Sequence, residues 1–565
     1  MNNLHPLHLH EILILIADHL DIRSLHASVH VNHAWHTSFA PHLWHSARLT
    51  FRGPNLTHPL ANHIRHLTFD NTSVSVWPEP RFLPVLSRLT SLTFNVVDPY
   101  LSYRVTPWPF LEALIINQAN TGTLSLIDLG HSRGTPGFWA ALARCQSLKT
   151  LRLRDMNLHH EVVSVPCLLK ICSTVETIVF EDVSIPRYGM TRRSFNGPLM
   201  RLKHLKLRGM WLTDDDDDSD GDDGLSTVSW TCSPNLESLS MVEGPEGSEE
   251  TLGQLLYLDV ITAEIRAALA ANREGRRFYT CPHGSKDNDD DDDDDDAHEQ
   301  YRGLVPARKL HTLETVSHTI QDHDLAFLLD HVERPMQVLC VPTSKAGPLT
   351  IKALARHYAH LTKLNVRHTN ISSIDVNNIS SPHVLTLLQC CPQLRSLGAT
   401  GLLGQDVLAS SNTPWACTRL QRLSIDILID EWSVYQEQAQ AVFRKLGELR
   451  QLEFLDLQSE RERDDLPHNF AWLEFRRAGG MDHLAGLTKM REIRAQEEAY
   501  KGLDVGDAEW MVEHWPEMKV VGVDVDVDGY TGDVFRKVRD VFRKVRDVFE
   551  ARGVSMVETK ASLEI

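Results

Sequence analysis

Apolar residues in this chain recur in one short phrase. An apolar residue is followed by two variable positions, a second apolar residue, one variable position and a third apolar residue. The phrase reads Ile64/Leu67/Phe69, Leu89/Leu92/Phe94, Leu111/Leu114/Ile116, Leu148/Leu151/Leu153, Val175/Ile178/Phe180, Leu202/Leu205/Leu207 and Leu236/Leu239/Met241. It returns at Met336/Leu339/Val341, Leu361/Leu364/Val366, Leu420/Leu423/Ile425 and Leu452/Leu455/Leu457, with weaker copies at Leu310/Leu313, Leu394/Leu397, Met490/Ile493 and Met518/Val521/Val523. The last two apolar residues of a copy are two apart, which places them on one face of a strand. A short strand cannot bury that face alone, whereas stacked copies form a parallel sheet over one continuous core. Val162–Val175, Pro382–Leu394 and Gln436–Leu452 carry apolar residues at three- and four-residue intervals, the helical spacing. Strand, loop and helix in repetition predict an α/β solenoid, with the parallel sheet on its concave face and helices on its convex face.

These copies resemble the leucine-rich repeat family, in an irregular form close to its cysteine-containing subtype. Cys145, Cys172, Cys391 and Cys417 each fall three residues before the first apolar residue of a copy, and Cys232 falls four before. The reading for these five is small buried hydrophobes rather than metal ligands or redox groups. No C-x-x-C pair occurs among the nine cysteines, so zinc-ribbon and thioredoxin-like readings fail, and a reducing compartment is expected.

A different pattern precedes the repeats. Glu11–Leu20 reads as a helix with Ile12, Leu13, Ile16 and Leu20 on one side, and Asp21 can cap a second helix with Leu25 and Val29 inward. The quoted segments are Leu9-His10-Glu11-Ile12-Leu13, Val31-Asn32-His33-Ala34-Trp35 and Leu43-Trp44. They resemble the F-box family, which opens Leu-Pro-Glu-Ile-Leu, carries Val-Cys-Arg-x-Trp and ends near Leu-Trp. His10, Asn32 and His33 depart from that pattern. The resemblance implies docking on the Skp-type adaptor of a cullin–RING ubiquitin ligase, with Leu9, Glu11, Ile12, Leu13, Ile16, Leu20, Leu25, Val31, Trp35, Leu43 and Trp44 as the residues concerned. Within that set, Leu9, Ile12, Leu13 and Ile16 are the expected adaptor face, an amphipathic stripe for a partner groove. Trp35 and Trp44 read better as core staples. An F-box followed by leucine-rich repeats implies a substrate receptor that binds a protein target, cytoplasmic or nuclear, with no cofactor of its own. The alternative is a leucine-rich scaffold outside the ubiquitin system, carrying a divergent F-box.

Charge changes this picture little. The formal net charge is −19 over 565 residues, but eight aspartates in Asp214–Asp223 and nine in Asp287–Asp296 supply most of it, leaving −2 for the rest. A general basic surface for nucleic acid is not supported. The tracts lack the glycine and terminal glutamate of a calcium-binding loop and read as solvated insertions. No apolar run approaches the ~20 residues that a membrane helix needs, and no signal peptide is recognisable. No G-x-S-x-G, Walker loop or H-E-x-x-H occurs, so an enzyme is not expected.

The expected organisation is an F-box over 1–50 and a linker over 51–60. Repeats fill 61–245 with an acidic loop at 213–224, then a helical insertion and acidic loop fill 246–305, with Thr251–Phe278 helical. Repeats resume over 306–530, and a capping helix and tail occupy 531–565, where VFRKVRD is exactly duplicated from Val534 to Asp547. On the concave face, Arg152, Arg154, Lys206, Arg208, Lys363 and Arg367 would form a basic column for an acidic or phosphorylated target. Glu181 and Asp426 interrupt it, and solvated charge is the plainer reading. His26, His30 and His33, spaced as on one helix face, raise zinc or pH sensing, with ordinary surface histidines as the preferred reading.

Overall fold

The computed structural model describes residues 10–49, 62–70, 86–95, 108–130, 135–158, 164–186, 201–209, 211–213, 235–242, 309–315, 322–342, 346–367, 379–430, 434–458, 470–500, 503–524 and 543–559. The chain divides into two compact units, Met1–Ala307 and Arg308–Ile565. Both are α/β, and both are built from parallel strands with helices in the connections.

The first unit opens with three helices, α1 (His10–Ala17), α2 (Ile22–Ser28) and α3 (His33–Leu43). Asp21 caps α2 by accepting from the Ser24 amide, as its sequence position predicts, and Asn32 caps α3 by accepting from the Trp35 amide at 2.9 Å. Two residues after α3 the chain enters a sheet made of β1 (Ser46–Leu49), β2 (His66–Asp70), β3 (Ser91–Asn95), β4 (Leu126–Gly130), β5 (Thr150–Asn157), β6 (Thr177–Pro186), β7 (His204–Arg208) and β9 (Ser238–Val242). Each strand pairs in parallel with its predecessor in this list. The short β8 (Trp211–Thr213) lies on the far end of β6. Register aligns Leu67, Leu92, Ile127, Leu151, Ile178, Leu205 and Leu239 in one row, all buried. The phrase therefore supplies the continuous core that its spacing predicts. In β5 and β6, Asp155 and Asp182 adopt φ of 49° and 55°, and Gly209, at the same 27-residue interval after β7, has φ of 55°. A left-handed residue thus ends the regular part of three successive repeats, where glycine or a short acidic residue is tolerated.

The second unit repeats the plan. Strands β10 (Thr312–Thr315), β11 (Val338–Cys340), β12 (Lys363–Asn365), β13 (Ser396–Leu403), β14 (Arg422–Asp430), β15 (Phe454–Leu457), β17 (Glu492–Gln496), β18 (Val520–Asp524) and β19 (Ser555–Thr559) pair in parallel in that order. One antiparallel strand, β16 (Phe470–Trp472), pairs with the far half of β14. Helices Ser381–Cys390 and Tyr435–Gly447 stand where the apolar spacing predicts them.

Three expectations are corrected. The copy Leu111/Leu114/Ile116 is not a strand but part of α4 (Trp108–Thr121). Leu111, Leu114 and Ile115 are fully buried while Ile116 is 39% exposed, so the apolar face follows i, i+3, i+4. The strand at that point of the sheet is β4, carried by Leu124/Ile127/Leu129. Second, the unit assigned to 1–50 contains β1, so its last residues already belong to the sheet. Third, the C-terminal helix is not a cap. Residues 543–551 are helical with Val545 and Phe549 buried, and β19 follows and pairs in parallel with β18. The segment is one further repeat. The linker 51–60, the helix expected over Thr251–Phe278, both acidic tracts, Cys232 and the first copy of the duplication lie outside the described residues.

The cysteines behave as read. Cys145, Cys172, Cys391 and Cys417 are buried, and burial pushes the Cys145 thiol up to about 11 and those of Cys391 and Cys417 to about 12. Such thiols stay protonated and act as small hydrophobes.

Two polar ties, one half-buried and one buried, hold neighbouring repeats of the second unit together. The carboxylate of Asp322 accepts from the amides of Gly347, Leu349 and Thr350 and from the Thr350 hydroxyl at 2.6–2.9 Å. It therefore caps the helix Pro348–Leu354, whose own N-cap is Gly347 and has no side chain to do so. Asp322→Ala is expected to lower unfolding free energy by about 2–4 kcal/mol, and Asp322→Asn by less, as measured by urea denaturation. His357 is 2% exposed, accepts from the Met336 amide at Nδ1 and pairs through Nε2 with the Leu329 carbonyl. That network assigns the neutral tautomer with its proton on Nε2. Burial lowers the pKa of His357 below its usual value. A depressed histidine pKa means that the unfolded chain takes up the proton first, so its stabilisation is complete above about pH 6.5 and is lost as pH falls. The melting temperature should drop between pH 7 and pH 5, and His357→Asn should be less stable at pH 7 but show a shallower drop.

Candidate docking surfaces

Among the described residues the helical unit has a core cluster of its own. Leu13, Ala17, Leu25, Val29, Phe39 and Ala40 are buried together, with Ile16, Leu20, Trp35 and Leu43 packed against them. Trp35 meets Phe39 edge-on at 5.2 Å. Two departures from the F-box pattern serve this packing. His10 Nδ1 lies 2.7 Å from the Ser38 hydroxyl and ties α1 to α3, and Asn32 is the cap of α3. Once the core is filled, Ile12 (37%), Leu15 (63%), Ile22 (65%) and Val31 (58%) remain exposed, four of seven such large apolar residues among those described. They are spread over two helices and the turn before α3.

This placement divides the residues singled out by sequence. Glu11, Ile12 and Val31 are exposed. Leu13 and Leu25 are core, so they are not part of an adaptor face. Ile16, Leu20, Trp35, Leu43 and Trp44 are half-buried, and Leu9 lies outside the described residues. Leu15 and Ile22 escaped the sequence reading. The signal was present: α1 reads HEILILIA, apolar on all sides, and a helix of that kind needs either full burial or a partner. The shared-face reading of His26, His30 and His33 is also corrected. α2 ends at Ser28, His30 lies in the turn, and His33 opens α3. Among the described residues no three side chains are grouped as metal ligands.

The six sheet-face cations occupy the positions that the repeat predicts, yet they do not make a free basic column. Arg152 and Lys206 both reach Glu181, each at 3.0 Å, and Arg154 reaches Asp128 at 3.0 Å and Asn95 at 2.7 Å. Burial alone would raise the Glu181 carboxyl, but hydrogen bonds from Lys206 and Arg152 outweigh it and hold the pKa below the usual range. Arg208 lies in register with Glu181, and its charge acts on Asp182. Asp182 is held above the usual carboxylate range, first by burial and then by the charge of Asp155, against the opposing pull of Arg208. In the second unit Lys363 pairs with Glu314 at 2.8 Å.

Arg367 is the most deeply set of the six, with 14% of its side chain exposed. It follows β12, yet its guanidinium reaches Asp426 on β14 at 3.3 Å and Asp456 on β15 at 2.9 Å, with Ser424 and the Gln458 carbonyl as further acceptors. On the intervening β13 stands Gly398, where a Cβ would meet the side-chain oxygen of Asn365 at 2.4 Å. Arg367 is thus a tie across strands rather than a docking group. Arg367→Met should destabilise the chain by about 3–5 kcal/mol, because it strands two buried carboxylates. Adding Asp426→Asn should recover part of that loss in the same unfolding measurement.

No family model matches the chain, and no curated protein matches it. Among solved structures, a chain from the crystal structure of the Rad7 and Elc1 complex in yeast is similar at 11% identity and a TM-score of 0.34, covering 97% of this chain and 93% of that one. A chain from the TLR13–ssRNA13 complex is similar at 11% identity and a TM-score of 0.32, covering 84% of this chain and 62% of that one. The leucine-rich repeat-containing protein LegL7 from Legionella pneumophila is similar at 10% identity and a TM-score of 0.19, covering 85% of this chain and 97% of that one. Scores of this size carry no argument about function. The fold rests on the strand register itself: two units of parallel strand–helix repeats with a continuous apolar row, the leucine-rich repeat arrangement. No helix among the described residues is long and apolar enough to cross a membrane.

Proposed function

We propose that this protein is the substrate-recognition subunit of a Skp–cullin–F-box ubiquitin ligase. Its helical unit would dock on the Skp-type adaptor, and its repeats would hold a protein target. The observation that carries this reading is the exposed apolar set Ile12, Leu15, Ile22 and Val31 on a unit whose own core is already full. An exposed apolar helix face laid in a partner's groove is a recurrent mode of protein recognition. The mechanism is proximity. Holding target and charged ubiquitin carrier in one assembly raises their effective concentration, so this chain needs no catalytic residue and no cofactor. It would work in the cytoplasm, the nucleus or both.

A second reading keeps the repeats as a binding scaffold outside the ubiquitin system. It is favoured by His10 and Asn32, whose departures from the F-box pattern are explained by internal packing and capping. Co-purification with a Skp-type adaptor separates the two. Ile12→Asp with Leu15→Asp changes only exposed positions and should leave the melting temperature nearly unchanged. It should weaken adaptor binding by about tenfold or more, as expected when central apolar contacts are lost. Failure of the intact chain to bind the adaptor sinks the ligase reading and leaves the scaffold.

A further inference from the structure

One cation on the open face of the second unit, opposite the helices, differs from those already described. Arg422, at the start of β14, is exposed, and its guanidinium sits 4.6 Å from the ring centroid of Phe454 on the adjacent β15. No carboxylate pairs with it among the described residues. The neighbouring acids are engaged elsewhere: Glu492 with Arg494 at 2.6 Å, and Asp456 with Arg367 and Ser424. Arg494, on β17, also approaches this ring, at 5.4 Å. Its stem lies across β18 at Gly522, where a Cβ would come within 2.9 Å of the Arg494 Cγ. Two guanidinium groups thus approach the ring, one neutralised by Glu492 and one not. Register continues this surface outward. Phe454 aligns with Glu492 and then with Val520, and Gly522 aligns with Val557, which is 42% exposed.

An outward aromatic ring fixes the planar fork of Arg422 and leaves its edge free for a carboxylate. Phe454, Val520 and Val557 offer apolar surface on the neighbouring strands. We propose that the open face of β14–β19 is the target-binding surface, and that it takes a peptide segment carrying a side-chain carboxylate beside an apolar residue. The carboxylate docks on Arg422, and the apolar side chain lies against Phe454 on the adjacent strand. The first unit is a poor counterpart, because Arg152, Arg154 and Lys206 are already occupied by Glu181 and Asp128. This inference rests on the repeats being the target-holding part in the function proposed above.

The test uses the purified full chain without the adaptor, so it reads peptide binding alone and is separable from failure of adaptor docking. The probes are fluorescent pools of short peptides: one with fixed Asp or Glu next to Leu or Phe, one with Lys in place of the acid, and one with Ser in place of the apolar residue. The acidic–apolar pool should bind about tenfold or more tightly than either control pool, and less tightly as salt is raised. Arg422→Glu and Arg422→Gln should abolish that preference with an unchanged melting curve. Lys352→Glu, an exposed cation on the helix Pro348–Leu354, should keep it. Equal binding of the three pools, or an Arg422→Gln variant that binds like Lys352→Glu, overturns the proposal.

Discussion

A strand of four or five residues has one apolar face and nothing of its own to cover it, and both units depend on how that face is paired. Leu151 is fully buried because Ile127 and Ile178 stand in register on either side of it, and the same holds along the row from Leu67 to Leu239. Each buried leucine contributes roughly 1.5–3 kcal/mol by removal from water, but only while its neighbours are in place. This makes the stack cooperative over nearest neighbours and makes the connections matter. The Asp322 cap and the His357 bridge are connections of that kind, joining one repeat's helix to the next through backbone groups that would otherwise be buried without partners.

Parallel register imposes a second condition on the opposite face. It places equivalent side chains of successive repeats ~4.8 Å apart across the sheet, so a column of like charge would repel along its whole length. The chain meets this by alternating sign on neighbouring strands. Glu181 sits between Arg152 and Lys206, Asp128 answers Arg154, and Arg367 is shared by two carboxylates. The charges thereby fasten the repeats to one another. Arg422 stands apart because an aromatic ring takes the place of the carboxylate, which positions the cation without neutralising it.

The repeat was legible in the sequence because register demands spacing, and spacing survives in the string of residues. Its one false copy shows the limit of that signal. Leu111 and Leu114 are three apart, a separation that a helix and the first half of the phrase share, and only the burial of Ile115 rather than Ile116 separates them. Ionic partners were not legible, since Arg154 and Asp128 are 26 residues apart and Arg152 and Glu181 are 29 apart. Which of many acids each arginine meets is decided by the register of the strands, not by local pattern. The C-terminal repeat was hidden for a different reason. Its strand, Ser555–Thr559, carries only Met556 and Val557 as apolar residues, too little for the phrase to register.

The helical unit shows why a family pattern overstates a docking face. Twelve positions make up the quoted F-box segments, and a sequence comparison treats all of them alike. The fold sorts them by task. Leu13 joins the core, His10 and Asn32 bond within the unit, and Ile12 and Val31 are left exposed, as are Leu15 and Ile22 outside those segments. Burial of large apolar side chains is what makes so small a unit fold at all, so its inward residues are accounted for without any partner. The outward ones are not. Four large apolar side chains kept exposed over twenty residues work against solubility and gain nothing in the isolated chain. The docking proposed above would make that arrangement favourable, and in that reading the inward residues contribute only by holding the outward ones in place.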